Sequence, residues 1–146
     1  MNIDMGNIFM RRDAESRSLS AENFRGEKGR GGMATAKDTL APGSAEAARD
    51  LGQKWKVSPC AFLAAGKELV VMDNDGPGVI RHVWVTFDKD FYRDIILRVW
   101  WDGEKTPSIE CPAGDFFCNS WGERQNILAQ PINVNPRGGM NCFLPM

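Results

Sequence analysis

Two stretches alternate with a period of two, and they restrict this chain to extended structure. In residues 79–87, Val79, Val83, Val85 and Phe87 fall on one face, and Ile80, His82, Trp84 and Thr86 on the other. In residues 94–102, Ile95, Leu97, Val99 and Trp101 oppose Asp94, Ile96, Arg98, Trp100 and Asp102. Side chains of a β-strand point alternately to opposite sides, whereas a helix would need an apolar residue every three or four positions. The apolar face of each stretch, Trp101 included, is expected to be core. The other face of residues 79–87 mixes polar and aromatic groups, so it is half-exposed or faces a cleft.

Shorter β-rich runs follow the same logic at residues 67–72, 108–111, 132–135 and 140–144. Turn-forming residues separate them: Asp73-Asn74-Asp75-Gly76-Pro77-Gly78, Asp102-Gly103 and Pro136-Arg137-Gly138-Gly139. Repeated short strands with turns between them predict an all-β fold, an antiparallel β-sandwich or jelly roll. One short helix is expected near residues 44–51, with Ser44 as N-cap, Glu46 in the first turn and Gly52 closing the end. Residues 1–32 read as an extended, glycine-rich segment and residues 33–146 as the jelly-roll domain. Met140-Asn141-Cys142-Phe143-Leu144-Pro145-Met146 stops in an apolar run. That ending suggests a domain truncated before further structure, or an edge covered by another subunit.

A chain of 146 residues is one domain's worth and can bury a real core. Its net charge is −1, and the basic groups Arg11-Arg12 and Lys28-Gly29-Arg30 are small, which argues against a nucleic-acid partner. No apolar run is long enough to span a bilayer, and residues 1–12 lack the basic start and apolar core of a signal peptide. The expected location is the cytoplasm, unless the true start is missing. The four cysteines, Cys60, Cys111, Cys118 and Cys142, contain no Cys-x-x-Cys pair, and His82 is the single histidine. Reduced thiols, no metal and no cofactor are expected.

Several chemistries fail on spacing. Gly31 is followed by Gly32 and Met33, so the glycine-rich loop is not a phosphate-cradling Gly-Lys-Ser/Thr. A calcium loop opening at Asp73 would place Pro77 and Trp84 at ligand positions. One histidine and no Gly-x-Ser-x-Gly elbow leave no nucleophile triad. Carboxylates remain, with Glu22, Glu27, Asp75, Glu110 and Asp115 in turn-like or glycine-bordered places. The segment 111–121, Cys-Pro-Ala-Gly-Asp-Phe-Phe-Cys-Asn-Ser-Trp, joins an acid, an amide and three aromatics in a predicted loop or strand edge. Such a loop is either buried packing or the lining of a sugar pocket, where flat apolar rings meet C–H groups and acceptors meet hydroxyls. Trp84 and Trp100 fall on mixed faces and are candidates for stacking on a ligand or filling a subunit contact, and Trp121 is the preferred stacking platform.

Five segments in series resemble glycoside hydrolase family 172. They are Ser18-Leu19-Ser20-Ala21-Glu22-Asn23, Gly26-Glu27-Lys28-Gly29, Lys54-Trp55-Lys56-Val57-Ser58-Pro59, Asp75 through Trp84, and Glu110 through Phe117. The resemblance implies a jelly roll, two such units per chain, and a homo-oligomer, trimer or hexamer. It also implies retaining hydrolysis of α-D-fructofuranosyl or D-arabinofuranosyl linkages without a metal. The two catalytic glutamates it implies belong to the family's second half and map onto no residue here. What remains for this chain is furanoside or oligosaccharide contact through the loops carrying Glu22, Glu27, Trp55, His82, Asp115, Trp121 and Asn141, together with oligomer surface. A non-catalytic carbohydrate-binding module or a structural assembly sandwich is the alternative.

Overall fold

The computed structural model describes residues 9–11 and 13–146. Most of the stretch read for a signal peptide, and Arg12 of the basic pair, lie outside the described residues. The chain divides into two compact units, Met1–Gly76 and Pro77–Met146.

The second unit carries the strands: β1 (Val83–Val85), β2 (Ile96–Val99), β3 (Ile109–Pro112), β4 (Ile127–Leu128), β5 (Ile132–Val134) and β6 (Met140–Cys142). One sheet has the order β1-β6-β5-β4, and β2 pairs with β3 in the other. Every pairing is antiparallel. With only the short turn α1 (Ala113–Phe116) and a 3-10 turn at Lys89–Phe91 added to it, this unit is the all-β sandwich that the alternation predicts.

Local chemistry explains the hairpins. Between β5 and β6 the Asn135 side chain accepts from the backbone N–H groups of Arg137 and Gly139, both at 3.0 Å, and Gly138 takes φ 82°. A side-chain oxygen thus does what a strand neighbour would do, and glycine supplies the left-handed step. In the loop between β2 and β3, Asp102 and Gly103 both have positive φ, 47° and 77°, and Glu104 N–H closes on the Trp101 carbonyl. The pairing of β1 with β6 continues to Ile80 and Met146, which exchange bonds of 2.8 and 3.1 Å. Four steps lead from Cys142 to Met146 but three from Ile80 to Val83, so the edge carries a one-residue bulge.

The core lies on one face of the larger sheet. Val134, Met140 and Cys142 are fully buried and pack with Ile132, Tyr92 and Phe117. Val83, Val85 and Phe87 close the cluster from the half-buried side, as their shared face requires. Each fully buried side chain of this size contributes roughly 1.5–3 kcal/mol. Gly114 lets α1 approach: a Cβ there would sit 2.7 Å from Tyr92 Cβ, and Gly114 N–H donates to the Tyr92 carbonyl at 2.9 Å.

Several expectations need correction. Val79 is exposed, because regular pairing of its strand begins only beyond Ile80. Trp101 is half-buried rather than core, since β2 ends at Val99. The helix near residues 44–51 is present as two 3-10 turns, Ser44–Ala47 and Arg49–Leu51. Gly43, not Ser44, occupies the cap, and Gly52 does end the stretch at φ 69°. Residues 67–72 form no strand, and the Lys67 N–H closes a turn on the Ala64 carbonyl instead. Within the segment read as extended, Ser20 and Asn23 exchange backbone bonds and close a tight turn.

Candidate functional site

Alternation along β1, β5 and β6 turns one set of residues into the core and the other outward. The outward set is a continuous row across the larger sheet. Trp84 stands opposite Asn141, Asn141 opposite Asn133, and Asn133 opposite Leu128. Beside this row His82 stacks on Phe143, with ring centroids 4.5 Å apart and planes within 2°.

Asn141 ties the row together. Its Nδ2 faces the carbonyls of Asn133 at 3.3 Å and Gly139 at 3.5 Å, both acceptors only. That assigns Oδ1 to the side facing His82 Nε2, 3.0 Å away. An amide oxygen can only accept, so Nε2 is the donor in this contact. Gly139 is required beneath this arrangement. A Cβ there would meet Asn135 Nδ2 at 2.4 Å and Trp84 Nε1 at 3.2 Å. The result is a wide, accessible surface of ring faces beside amide groups, with Trp84 53% exposed. Ring faces attract the C–H side of a sugar, and amides exchange hydrogen bonds with its hydroxyls.

The structure brings His82 and Asn141 together, and it places Asp115 and Trp121 in another part of the same unit. The segment 111–121 is not an open loop. Cys111 and Pro112 end β3, Ala113–Phe116 makes one helical turn, and Phe117 is core. Its aromatics therefore divide, with Phe117 packing inside while Trp121 is 90% exposed. Asp115 is held by Arg93, whose Nη1 lies 3.2 Å from each carboxylate oxygen and also donates to the Ser120 carbonyl. Burial, and secondarily the Asp115 charge, push the Cys111 thiol pKa up. Glu110 pairs with Arg98 Nε at 2.6 Å, so this acid and Asp115 each have an arginine.

Glu22, Glu27 and Trp55 lie in the first unit. Glu22 accepts from the buried Ser58 N–H at 2.8 Å, a tether between distant segments. Trp55 is exposed after Lys54, which adopts φ 75°. Glu27 lines a groove of about 390 Å³ with Glu15, Arg17, Asn23 and Lys28. The polar groups of this groove largely satisfy one another. Arg17 bonds Glu15 and the Gly26 carbonyl, and Asn23 bonds the backbone of Glu27 at both ends of its amide. It also contains no aromatic ring, so the sheet face is the better sugar surface. Among the described residues no group of three or more His, Cys, Asp or Glu side chains could hold a metal ion.

The family model described as GH172 first beta-sandwich domain matches residues 48–146. The chain belongs to this family. Membership of glycoside hydrolase family 172 is thus carried by the span that contains Trp55, His82, Asp115, Trp121 and Asn141. Glu22 and Glu27 lie before the matched span. No curated protein matches the chain. Within this family 172 domain, sequence reasoning missed three site neighbours. Phe143 and Asn133 share the alternation of Asn141 and were legible from it, whereas the pairing of Arg93 with Asp115 had no sequence signal. Among the described residues no helix is long and apolar enough to cross a membrane.

Proposed function

We propose that this domain binds furanoside substrate for a retaining glycoside hydrolase acting on α-D-fructofuranosyl or D-arabinofuranosyl linkages. Family membership supports the reaction class. The observation that carries the binding role is the His82–Phe143 stack beside Trp84, locked by Asn141. Glu110 and Asp115 are engaged by Arg98 and Arg93, so neither is assigned as acid or nucleophile, and the catalytic pair is supplied outside the described residues. Two jelly rolls per chain and a trimeric or hexameric assembly belong to the same reading.

Titration of the chain with methyl fructofuranosides and arabinofuranosides, followed by NMR, tests this. Weak saturable binding is expected, with no hydrolysis of aryl furanosides by this domain. Trp84→Ala should weaken it roughly tenfold, the size of one lost stacking contact plus its buried area. Trp121→Ala measured alongside separates the sheet face from the turn at 115–121. No saccharide binding, or affinity indifferent to Trp84, rejects the proposal.

A second reading, a structural assembly face, is favoured by Leu128, which is 88% exposed at the end of the same row. It predicts that the same substitutions alter oligomer size and leave sugar binding unobserved.

A further inference from the structure

The outward side of the larger sheet carries two parallel rows of side chains. Extending the pairings of β6 by one residue sets His82 opposite Phe143, and Phe143 opposite Pro131, whose carbonyl accepts the Phe143 N–H at 2.8 Å. The other row is Trp84, Asn141, Asn133 and Leu128. Residues two apart on a strand share a face, so the rows run side by side, about 7 Å apart along the strands. They differ in what they leave open. His82 and Phe143 turn ring faces to each other, and Asn141 commits its amide to His82 and to two backbone carbonyls. Trp84 Nε1 and both ends of the Asn133 side-chain amide make no hydrogen bond among the described residues. The unclaimed polar groups therefore lie in the row from Trp84 to Leu128, and they stand on strands two apart.

We propose that this row is a track for a linear, uncharged oligofuranoside, with one ring on Trp84, the hydroxyls of the next at Asn133 and a further ring against Leu128. The proposal rests on the furanoside-binding reading above and adds chain length to it. Adjacent strands lie about 4.8 Å apart, so the three steps from Trp84 to Leu128 cover about 14 Å, more than the breadth of one furanose ring. A glycosidic repeat is comparable to one strand step, so successive rings can meet successive strands. The order of groups suits such a chain. Trp84 offers an open ring face and an indole donor, Asn133 both a donor and an acceptor, and Leu128 an apolar contact that is 88% exposed. The track crosses the whole sheet, from β1 at one edge to β4 at the other, so both of its ends are open. Neither row contains a carboxylate, a lysine or an arginine, which selects a neutral glycan over a phosphorylated or acidic one. Leu128 thereby has a ligand contact rather than a subunit contact.

The test is an NMR titration of the whole chain with methyl furanosides and with linear arabinofuranosyl and fructofuranosyl oligosaccharides of two to five units. Affinity should rise about tenfold or more from one unit to three and then level off. A site of one-ring size would show only the statistical gain of a chain with three places to bind. Leu128→Ser and Asn133→Ala should each reduce the ratio of three-unit to one-unit affinity toward that statistical value, whereas Trp84→Ala should weaken every length. Circular dichroism checks that the substitutions leave the fold intact. A three-unit gain no larger than the statistical one, or a larger gain that survives both Leu128→Ser and Asn133→Ala, overturns the track and leaves furanoside binding standing. Binding of no saccharide at any length overturns both.

Discussion

Replacing Gly114 by alanine sets two opposing effects against each other. Gly114 lies in α1 without a positive φ, so alanine would gain roughly 0.4–1 kcal/mol from reduced freedom of the unfolded chain. Against this stands the space the new Cβ must occupy. It would lie 2.7 Å from Tyr92 Cβ and 2.8 Å from the Tyr92 carbonyl oxygen, where ordinary contacts begin near 3.4 Å. Neither atom can yield cheaply. Tyr92 is fully buried in the core, and its carbonyl already accepts the Gly114 N–H, so the shift must pass into the backbone. Overpacking of this kind costs about 1–3 kcal/mol, and a backbone obstacle puts the cost at the upper end. The steric term wins, with a net loss of about 1–2 kcal/mol. In a unit of this size that lowers the melting temperature by roughly 4–16 °C. Gly78→Ala is the control, since a Cβ there meets nothing within 4 Å and φ is not positive. Thermal unfolding followed by circular dichroism compares the two. A Gly114→Ala midpoint equal to or above wild type would refute the packing argument.

Other expectations follow from single side chains. Tyr92 Oη is buried with no protein partner among the described residues, so Tyr92→Phe should leave the melting temperature unchanged or raise it slightly. The Glu104 carboxyl is held below its usual pKa by the Ser108 hydroxyl first and the Trp101 N–H second. Ser108→Ala should move it back upward, as read by carbon-13 NMR of the side chain. In linkage terms, a depressed folded pKa gives stability present above the unfolded value and lost as pH falls through the folded one, so this variant should lose part of its acid-side pH dependence. The Cys111 thiol, whose pKa is raised, should alkylate more slowly than the exposed Cys60 and Cys118 near pH 8, as mass mapping can show. Its contribution to stability is complete below the unfolded pKa and fades as pH rises through the folded one.

The strand alternation was the legible part of this chain. Val83, Val85 and Phe87 do face the core, and Ile95, Leu97 and Val99 share the less exposed side of their segment. The period of two is a property of each strand alone, so sequence carries it directly. What stayed hidden depended on partners distant in the chain. Residues 67–72 have the composition of a strand, but pairing needs a neighbour, and composition does not say whether one exists. Segment 111–121 looked like a loop because of Pro112 and Gly114. Proline ends β3, while glycine is there for its contact with Tyr92, so both residues serve packing rather than an opening. The candidate site was half legible. His82 and Asn141 were named separately, and only the register of β1 on β6 makes them neighbours.

Separation of the two faces of β5 and β6 has an evolutionary consequence. Residues that hold the unit together and residues that face outward alternate along one backbone, yet they do not compete for the same space. Trp84, Asn133 and Phe143 can be exchanged while Val134, Met140 and Cys142 stay untouched beneath. New surface chemistry can therefore arise on this scaffold in single steps, with little drag from folding.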